Sequence, residues 1–290
     1  MGGTTHPMGY LISAILASFT ISVLIKINES RGVNTQIVIA SNYISAAAIG
    51  WLVTLHVGFD GVSSETLVLG LIGGLMWPGT FYLLMWGIRR YGISLTGAVC
   101  RLSLIVPVLF AIIFLHESLT LNTGLGLLAA FAACYLFNPV NASELNQADR
   151  RAIWFFPLLI FCFGVVDLWV NLFNHLGPES EKFIFVTLVF TFSNLFAWTA
   201  VGLQKVKIEK RAVVRGLILG IPNILATYFL LECLKSEVFL NHSAVVYTLY
   251  SVMGVTLAFA AGTLFWKEPV TRSNMLGVAV AIAAISLLNG

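Results

Sequence analysis

The feature that most constrains this chain is a nearly unbroken series of apolar runs, each close to the length of a membrane span. A bilayer core about 30 Å thick needs roughly 20 apolar residues per helical span. Only 10% of the 290 residues are charged, too few to cover a water-soluble protein of this size. The runs are continuous and do not alternate with polar residues, which excludes a transmembrane β-barrel. The sequence therefore predicts an all-α integral membrane protein.

The apolar runs predict ten transmembrane helices, at residues 9–28, 35–57, 66–88, 93–115, 120–137, 152–174, 183–203, 212–234, 241–265 and 270–288. The first run lacks a basic leading segment and a cleavage signal, so it is interpreted as a mature span. The net charge of +3 lies in loops, which argues against a nucleic-acid surface. Four cysteines lie inside apolar runs without a CxxC pair, which argues against a metal site or a disulfide framework: Cys100, Cys134, Cys162 and Cys233.

The two halves of the chain contain an internal repeat. Residues 116–138 align without gaps on residues 267–289, and 9 of the 23 positions are identical. The third predicted span aligns in the same order on the eighth, with Gly74 on Gly220 and Tyr82 on Tyr228 among the matches. The predicted organisation is a first five-helix repeat at 1–138, a linker at 139–151 and a second five-helix repeat at 152–290.

Because five is an odd number, the second repeat enters the membrane from the opposite side, and the two copies are inverted. Inverted halves can exchange conformations, which gives outward-open and inward-open states of similar energy. The repeat therefore favours a transporter that works by alternating access. A gene duplication in a membrane enzyme or scaffold is the alternative explanation.

Two copies of a short segment, 117–120 (Glu-Ser-Leu-Thr) and 268–271 (Glu-Pro-Val-Thr), are followed by Gly126 and Gly277 and by helices rich in small residues. In these segments the sequence resembles the drug/metabolite transporter superfamily, and most closely its EamA-like ten-helix members. Those members show an apolar-Glu-x-apolar-Thr element between helices 4 and 5 and again between helices 9 and 10. The glycine that usually precedes the glutamate is replaced here by His116 and Lys267.

The resemblance implies a ten-helix basket whose central cavity is lined by helices 1, 3, 4, 6, 8 and 9, with helices 5 and 10 at the periphery. It also implies transport, because related proteins export amino acids, drugs and metabolites, and distant relatives carry nucleotide sugars or sugar phosphates. In the matched segments, Glu117 and Glu268 lie at span ends, where a carboxylate can remain hydrated or cap the next helix. Thr120 and Thr271 stand at N-cap positions.

The orientation in the membrane is predicted differently by charge and by resemblance. Twelve Lys and Arg residues fall on the odd-to-even connections, whereas the other face has only Lys182 and Lys235. By the positive-inside rule the twelve belong in the cytoplasm, which places both termini outside. Members of the resembled family usually keep both termini in the cytoplasm. The size of the charge bias favours the first orientation.

Charged residues inside predicted spans are candidate site residues, because each costs about 2.5–3.5 kcal/mol on insertion scales. Arg101 lies about two turns into span 4, where its guanidinium could bind a carboxylate or phosphate of the solute. The alternative is an ion pair with Asp167, although the two lie roughly 10 Å apart along the membrane normal at about 1.5 Å per residue. Asp167 is also a candidate substrate-binding residue, and Asp167 and Glu232 are candidates for proton coupling. Lys26 and Glu232 are near span ends, where snorkelling is an alternative.

Further candidate substrate-binding residues are polar or aromatic and lie at depth in the spans: Trp77, Tyr82, Trp86, Asn171, Asn223, Tyr228, Tyr247 and Tyr250. An interfacial aromatic belt and helix–helix hydrogen bonding are the alternative roles for these residue types. Pro78 with Gly79 in span 3 and Pro222 in span 8 are predicted to interrupt their helices and to act as hinges, because proline removes a helix hydrogen bond.

The leading functional hypothesis is a secondary transporter that exports a small metabolite, such as an amino acid or a related zwitterionic or anionic solute. A carrier of a phosphorylated or nucleotide-linked solute is an alternative, and a membrane enzyme or scaffold is an alternative of a different class. The chain shows no phosphate loop, HExxH or Ser-His-Asp pattern. We expect a small solute and the lipid bilayer as partners, no nucleic acid, no cofactor or metal, a monomer or homodimer, and a bacterial cytoplasmic membrane.

Replacement of Arg101 tests its predicted role. If Arg101 binds the solute, Arg101→Ala nearly abolishes uptake of an anionic or zwitterionic solute, and Arg101→Lys weakens it because the two-pronged donor is lost. The folded protein then survives in detergent. If Arg101 instead pairs with Asp167, thermal melts show an unstable Arg101→Ala variant that Asp167→Asn partly rescues.

Overall fold

The computed structural model describes residues 7–59, 61–91, 96, 99–100, 102–117, 120–137, 151–239, 241–267 and 269–288. These residues form helices, and no strand occurs among them. The helices are α1 (Pro7–Ser30), α2 (Thr35–Val57), α3 (Ser64–Tyr91), α4 (Ile105–Ile113), α5 (Leu121–Phe137), α6 (Ala152–Leu176), α7 (Lys182–Leu203), α8 (Lys210–Lys235), α9 (Ser243–Trp266) and α10 (Arg272–Leu288). Short 3-10 turns precede α4 at Leu102–Leu104 and α7 at Glu179–Glu181, and Thr96, Val99 and Cys100 are also helical.

Seven of these helices, α1, α2, α3, α6, α7, α8 and α9, are long and apolar enough to cross a membrane. The prediction of an all-helical, multi-pass membrane protein is therefore confirmed. The apolar helices at the other predicted spans are shorter. Both α5 and α10 have 17 residues, or about 25 Å at 1.5 Å per residue. The described helix at span 4 covers only Leu102–Ile113.

The chain packs as two compact units. Unit 1 contains Met1–Gly79 and Trp169–Lys235, and unit 2 contains Thr80–Leu168 and Ser236–Gly290. The chain passes from one unit to the other within α3, directly after Gly79, and within α6, directly after Leu168. Each unit thus takes helices from both predicted repeats.

In unit 1, α2 and α7 pack side by side in opposite directions. Near one end Gln36 donates a hydrogen bond to Gln204 (3.0 Å), and near the other the hydroxyls of Thr54 and Thr187 lie 2.9 Å apart. Between them, the Trp198 indole donates to the carbonyl of Ala40 (3.1 Å). Because low residue numbers on α2 meet high numbers on α7, the two helices are antiparallel.

Two glycines at matching repeat positions allow other helices of unit 1 to approach closely. Gly220 of α8 lies against the Asn42–Ala46 segment of α2, where a Cβ would overlap Ser45 and the Asn42 carbonyl. Gly74 of α3 lies against Phe192 and Ser193 of α7, where a Cβ would overlap Phe192. Small residues at such crossings increase van der Waals contact, which is a main source of helix association in lipid.

In unit 2, α5 and α10 also form an antiparallel pair. Asn274, in the first turn of α10, donates to the carbonyl of Phe137 at the end of α5 (3.1 Å), and Gly126 in the first half of α5 packs against Leu288 at the end of α10. Alanines fill the interface between them and are at most 1% exposed: Ala130, Ala133, Ala281 and Ala284. The small residues of the two repeated segments thus allow α5 and α10 to pack closely.

The capping predictions are confirmed in part. The Thr120 hydroxyl accepts from the Thr123 amide (3.1 Å) and the Thr271 hydroxyl from the Asn274 amide (3.2 Å), so both threonines are N-caps, of α5 and α10. Glu117 is predicted either to remain hydrated or to cap the next helix, and it does not cap that helix. Its carboxylate lies at the start of α9 instead. The first backbone amides of α9 have no acceptor within their own helix, and no local side chain caps them.

Gly220→Ala tests the close contact between α2 and α8. The added methyl group would meet a backbone carbonyl that cannot move freely, so we expect a loss of about 1–3 kcal/mol in stability, measured by thermal unfolding in detergent. Gly254→Ala in α9 is the matched control, since a Cβ there meets nothing within 4 Å. Equal melting temperatures for the two variants would contradict the described packing.

Candidate functional site

The predicted site residues fall into three groups. Arg101 and Glu268 lie outside the described residues, so the anion-binding role of Arg101 and its pairing with Asp167 stay predictions. Unit 1 contains Trp77, Pro78, Gly79, Asn171, Pro222, Asn223, Tyr228 and Glu232. Unit 2 contains Tyr82, Trp86, Asp167, Tyr247 and Tyr250.

One face of α6 carries a line of polar side chains. Asp167, Asn171 and Asn174 follow one another at intervals of four and three residues, a spacing that places them on the same side of a continuous helix. Trp169, about half a turn away, donates a hydrogen bond from its indole to the carbonyl of Leu69 in α3 (2.8 Å). The polar face of α6 therefore points away from this contact with α3.

The two asparagines of this face contain buried atoms without partners among the described residues. Asn171 is 3% exposed, and its side-chain amide nitrogen lacks a hydrogen-bond partner among these residues. The side-chain nitrogen and oxygen of Asn174 are also buried and also lack partners there. An unmade hydrogen bond of this kind costs about 1–3 kcal/mol, so a functional reason is expected. The arrangement can offer donors and an acceptor to water or to a polar solute.

Asn174 was not among the residues predicted from sequence. The signal that could have revealed it is its spacing from Asp167 and Asn171, since three polar residues at helical intervals within an apolar span are rare. By contrast, the predicted residue Asn223 has a partner. Its amide donates to the side-chain oxygen of the buried Asn42 (2.5 Å), so it joins α8 to α2.

The backbone of α6 at Asp167 is held by α9. The hydroxyl of Tyr247 donates to the main-chain carbonyl of Asp167 (2.9 Å), and Tyr247 is only 2% exposed. The predicted site residue Tyr247 thus makes a packing contact with the polar segment of α6. Tyr250, one turn nearer the middle of α9, is half-buried.

A charged pair connects the start of α7 with the last turn of α8. The Lys182 ammonium lies 2.6 Å from a carboxylate oxygen of Glu232, and the two side chains are 21% and 12% exposed. Tyr228, one turn before Glu232, stacks on Phe183 with ring centroids 5.1 Å apart. Glu232 is therefore paired with a cation. Its predicted role in proton coupling stays a prediction, and a proton that binds Glu232 would have to compete with Lys182.

The predicted helix breaks are not seen. Helices α3 and α8 continue through Pro78 and Pro222, and Ser45 of α2 donates to the Leu217 carbonyl (2.7 Å), near the turn that Pro222 perturbs. A proline within a span therefore does not by itself end the helix, since neighbouring groups and local adjustments can accommodate it. A hinge role for Pro78, Gly79 and Pro222 stays a prediction.

The aromatic candidates on α3 differ in their surroundings. Trp86 is 43% exposed and packs with Phe155 and Tyr91 at centroid distances of 4.7 and 5.9 Å, next to the arginines that end the helix. This setting is typical of an interfacial aromatic cluster. Trp77 and Tyr82 are half-buried nearer the middle of the helix.

These features define a multi-pass helical membrane protein, and comparisons with known proteins extend the description of its fold. No family model matches the chain. It is 26% identical over 290 residues, or 97% of each chain, to a Haemophilus influenzae protein described as an uncharacterized protein. A solved structure described only as the crystal structure of a protein superposes with a TM-score of 0.77 at 15% identity, covering 98% of this chain and 96% of that chain. The fold is therefore shared over nearly the whole length.

Glu232→Gln tests the charged pair. Exposed pairs contribute roughly 0–1 kcal/mol and breaking a buried pair costs 3–5 kcal/mol, so for this partly buried pair we expect a loss of about 1–3 kcal/mol in thermal unfolding. Adding Lys182→Met should restore part of the loss, because no unpaired charge remains. Glu237→Gln, at an exposed position two residues past α8, is the control. A double variant no more stable than Glu232→Gln would contradict the pairing.

Proposed function

We propose that this protein is a secondary transporter of a small metabolite, built from ten membrane spans in two inverted five-helix repeats. The observation that carries the proposal is the antiparallel packing of α2 with α7 and of α5 with α10. The members of each pair occupy the same position in the two predicted repeats. Helices related by a two-fold axis in the membrane plane run in opposite directions, as these do.

The glycine contacts support the same symmetry. Gly74 brings α3 against α7, and Gly220 brings α8 against α2. Exchanging every helix for its counterpart in the other repeat converts the first contact into the second. In this proposal the shorter apolar helices α4, α5 and α10 would be the three further spans that bring the seven longer ones to ten.

Inverted repeats give a physical basis for transport. Two halves with the same fold and opposite orientation can exchange conformations at little energetic cost, which exposes a solute site to each side in turn. The chain passes from unit 1 to unit 2 beside Pro78 and Gly79. This position supports a hinge in α3, since a proline weakens the helix locally.

The polar face of α6 supports a solute that is small and polar. The unpaired amides of Asn171 and Asn174 suit the carboxylate and ammonium groups of an amino acid or a related metabolite. Arg101 would add a binding group for an anion, and Asp167 would bind the solute or a driving proton. The resemblance to the drug/metabolite transporter superfamily supports export, and the charge bias supports an orientation with the Arg-rich face in the cytoplasm of a bacterial cell.

Asn174→Leu tests the proposal through opposite effects on stability and transport. Removing an unpaired buried amide should stabilise the protein by about 1 kcal/mol or more in thermal unfolding, whereas it should abolish solute exchange. Asn223→Leu, which leaves the side-chain oxygen of the buried Asn42 without its donor, should instead lower the melting temperature. Exchange is measured as counterflow of a panel of labelled amino acids and organic anions in proteoliposomes. Failure of the wild type to exchange any of them, or unchanged exchange by Asn174→Leu, would contradict the proposed role.

A further inference from the structure

The carboxylate of Glu117 binds the beginning of α9. Its oxygens accept hydrogen bonds from the backbone amide of Ser243 (2.8 Å), the hydroxyl of Ser243 (2.5 Å) and the backbone amide of Ala244 (3.0 Å). Ser243 is 2% exposed and Glu117 is half-buried, so the contact is partly sheltered from water. A carboxylate at a helix N-terminus also interacts favourably with the helix dipole. The first turn of α9 is therefore fixed by a residue that lies between α4 and α5.

The next turn of α9 contacts the backbone of Asp167. Tyr247 lies four residues, or about one helical turn, after Ser243 and on the same side of the helix. Its hydroxyl donates to the Asp167 carbonyl at 2.9 Å. Glu117, Ser243, Tyr247 and Asp167 form a continuous link within unit 2.

We propose that Glu117 is a positioning residue for Asp167 and acts through the first turn of α9. A shift or rotation of that turn moves the Tyr247 hydroxyl, and with it the α6 backbone that carries the Asp167 carboxyl group. The inference rests on the proposed function in one respect, namely that Asp167 contacts the solute or a proton. The mechanical link can be measured without transport.

The experiment is a double-variant cycle with Glu117→Gln, Tyr247→Phe and both together, in purified protein in detergent. Two readouts report on Asp167: its rate of labelling by dicyclohexylcarbodiimide, assigned by peptide mass spectrometry, and hydrogen–deuterium exchange of the surrounding α6 peptide. We expect each single variant to change the hydrogen–deuterium exchange rate of the α6 peptide by about threefold or more, as for the loss of one hydrogen bond. The two single variants should also change the labelling rate of Asp167 in the same direction. The double variant should match Tyr247→Phe alone, because both substitutions break one link.

Controls separate positioning from general stability. Thr120→Ala removes the N-cap of α5 three residues from Glu117 and lowers stability, but it should leave exchange at Asp167 within about twofold of the wild type. Glu117→Asp, which restores a carboxylate, should recover part of the wild-type exchange. If Glu117→Gln does not fold, Ser243→Ala replaces it, since that variant loses one of the three hydrogen bonds and keeps both amides.

Additive effects in the double variant, or unchanged exchange at Asp167 in Glu117→Gln, would overturn the inference. Failure of the wild type to exchange any solute in proteoliposomes would instead count against the proposed function. Because the cycle uses no solute, the two failures are distinguishable.

Discussion

The structure depends on one constraint: in lipid, polar groups must find partners within the protein. Helix ends show it most clearly, because their first amides have no partner inside the helix. Carboxylates distant in sequence meet this need twice, Glu117 at the start of α9 and Glu181 at the amide and hydroxyl of Ser63, just before α3. Hydroxyls within spans meet it locally, as Thr191 does by bonding the carbonyl of Thr187. Ser41, Ser193 and Asn194 also contain buried polar atoms without partners among the described residues. Asn171 and Asn174 differ because they lie together on the face of α6 that carries Asp167, which suggests a site.

Packing in each unit follows from the absence of a hydrophobic driving force between helices in lipid. Close contact replaces it, through alanines between α5 and α10 and through Gly74 and Gly220 at helix crossings. These contacts define pairs of helices that are tightly held. Helices α3 and α6 differ, because each contributes one part to unit 1 and another to unit 2. Residues with proposed roles, such as Asp167 and Asn171, lie on a helix that belongs to both.

Local features of the fold could be predicted from the sequence, since they depend on span length and short-range chemistry. The bounds of α2 agree at both ends, and Thr120 and Thr271 are N-caps as expected. Contacts between distant residues could not be predicted. Glu117 meets Ser243 across 126 residues, and Lys182 meets Glu232 at the far end of another helix. The prolines misled for a different reason: α3 and α8 continue through Pro78 and Pro222, so the residue type alone does not determine whether a membrane helix is interrupted.

The pairing of α2 with α7 and of Glu117 with Ser243 has a consequence for how the protein is made. When Glu117 has been synthesised, another 126 residues must follow before its partner exists. At about 5–20 residues per second this delay is roughly 6–25 s, far longer than helix formation. During that time the first half of the chain is in the membrane with open helix faces, which insertion machinery or lipid must cover. Assembly of the two halves therefore follows insertion, and a ribosome stalled between them would leave a half that cannot complete its own packing.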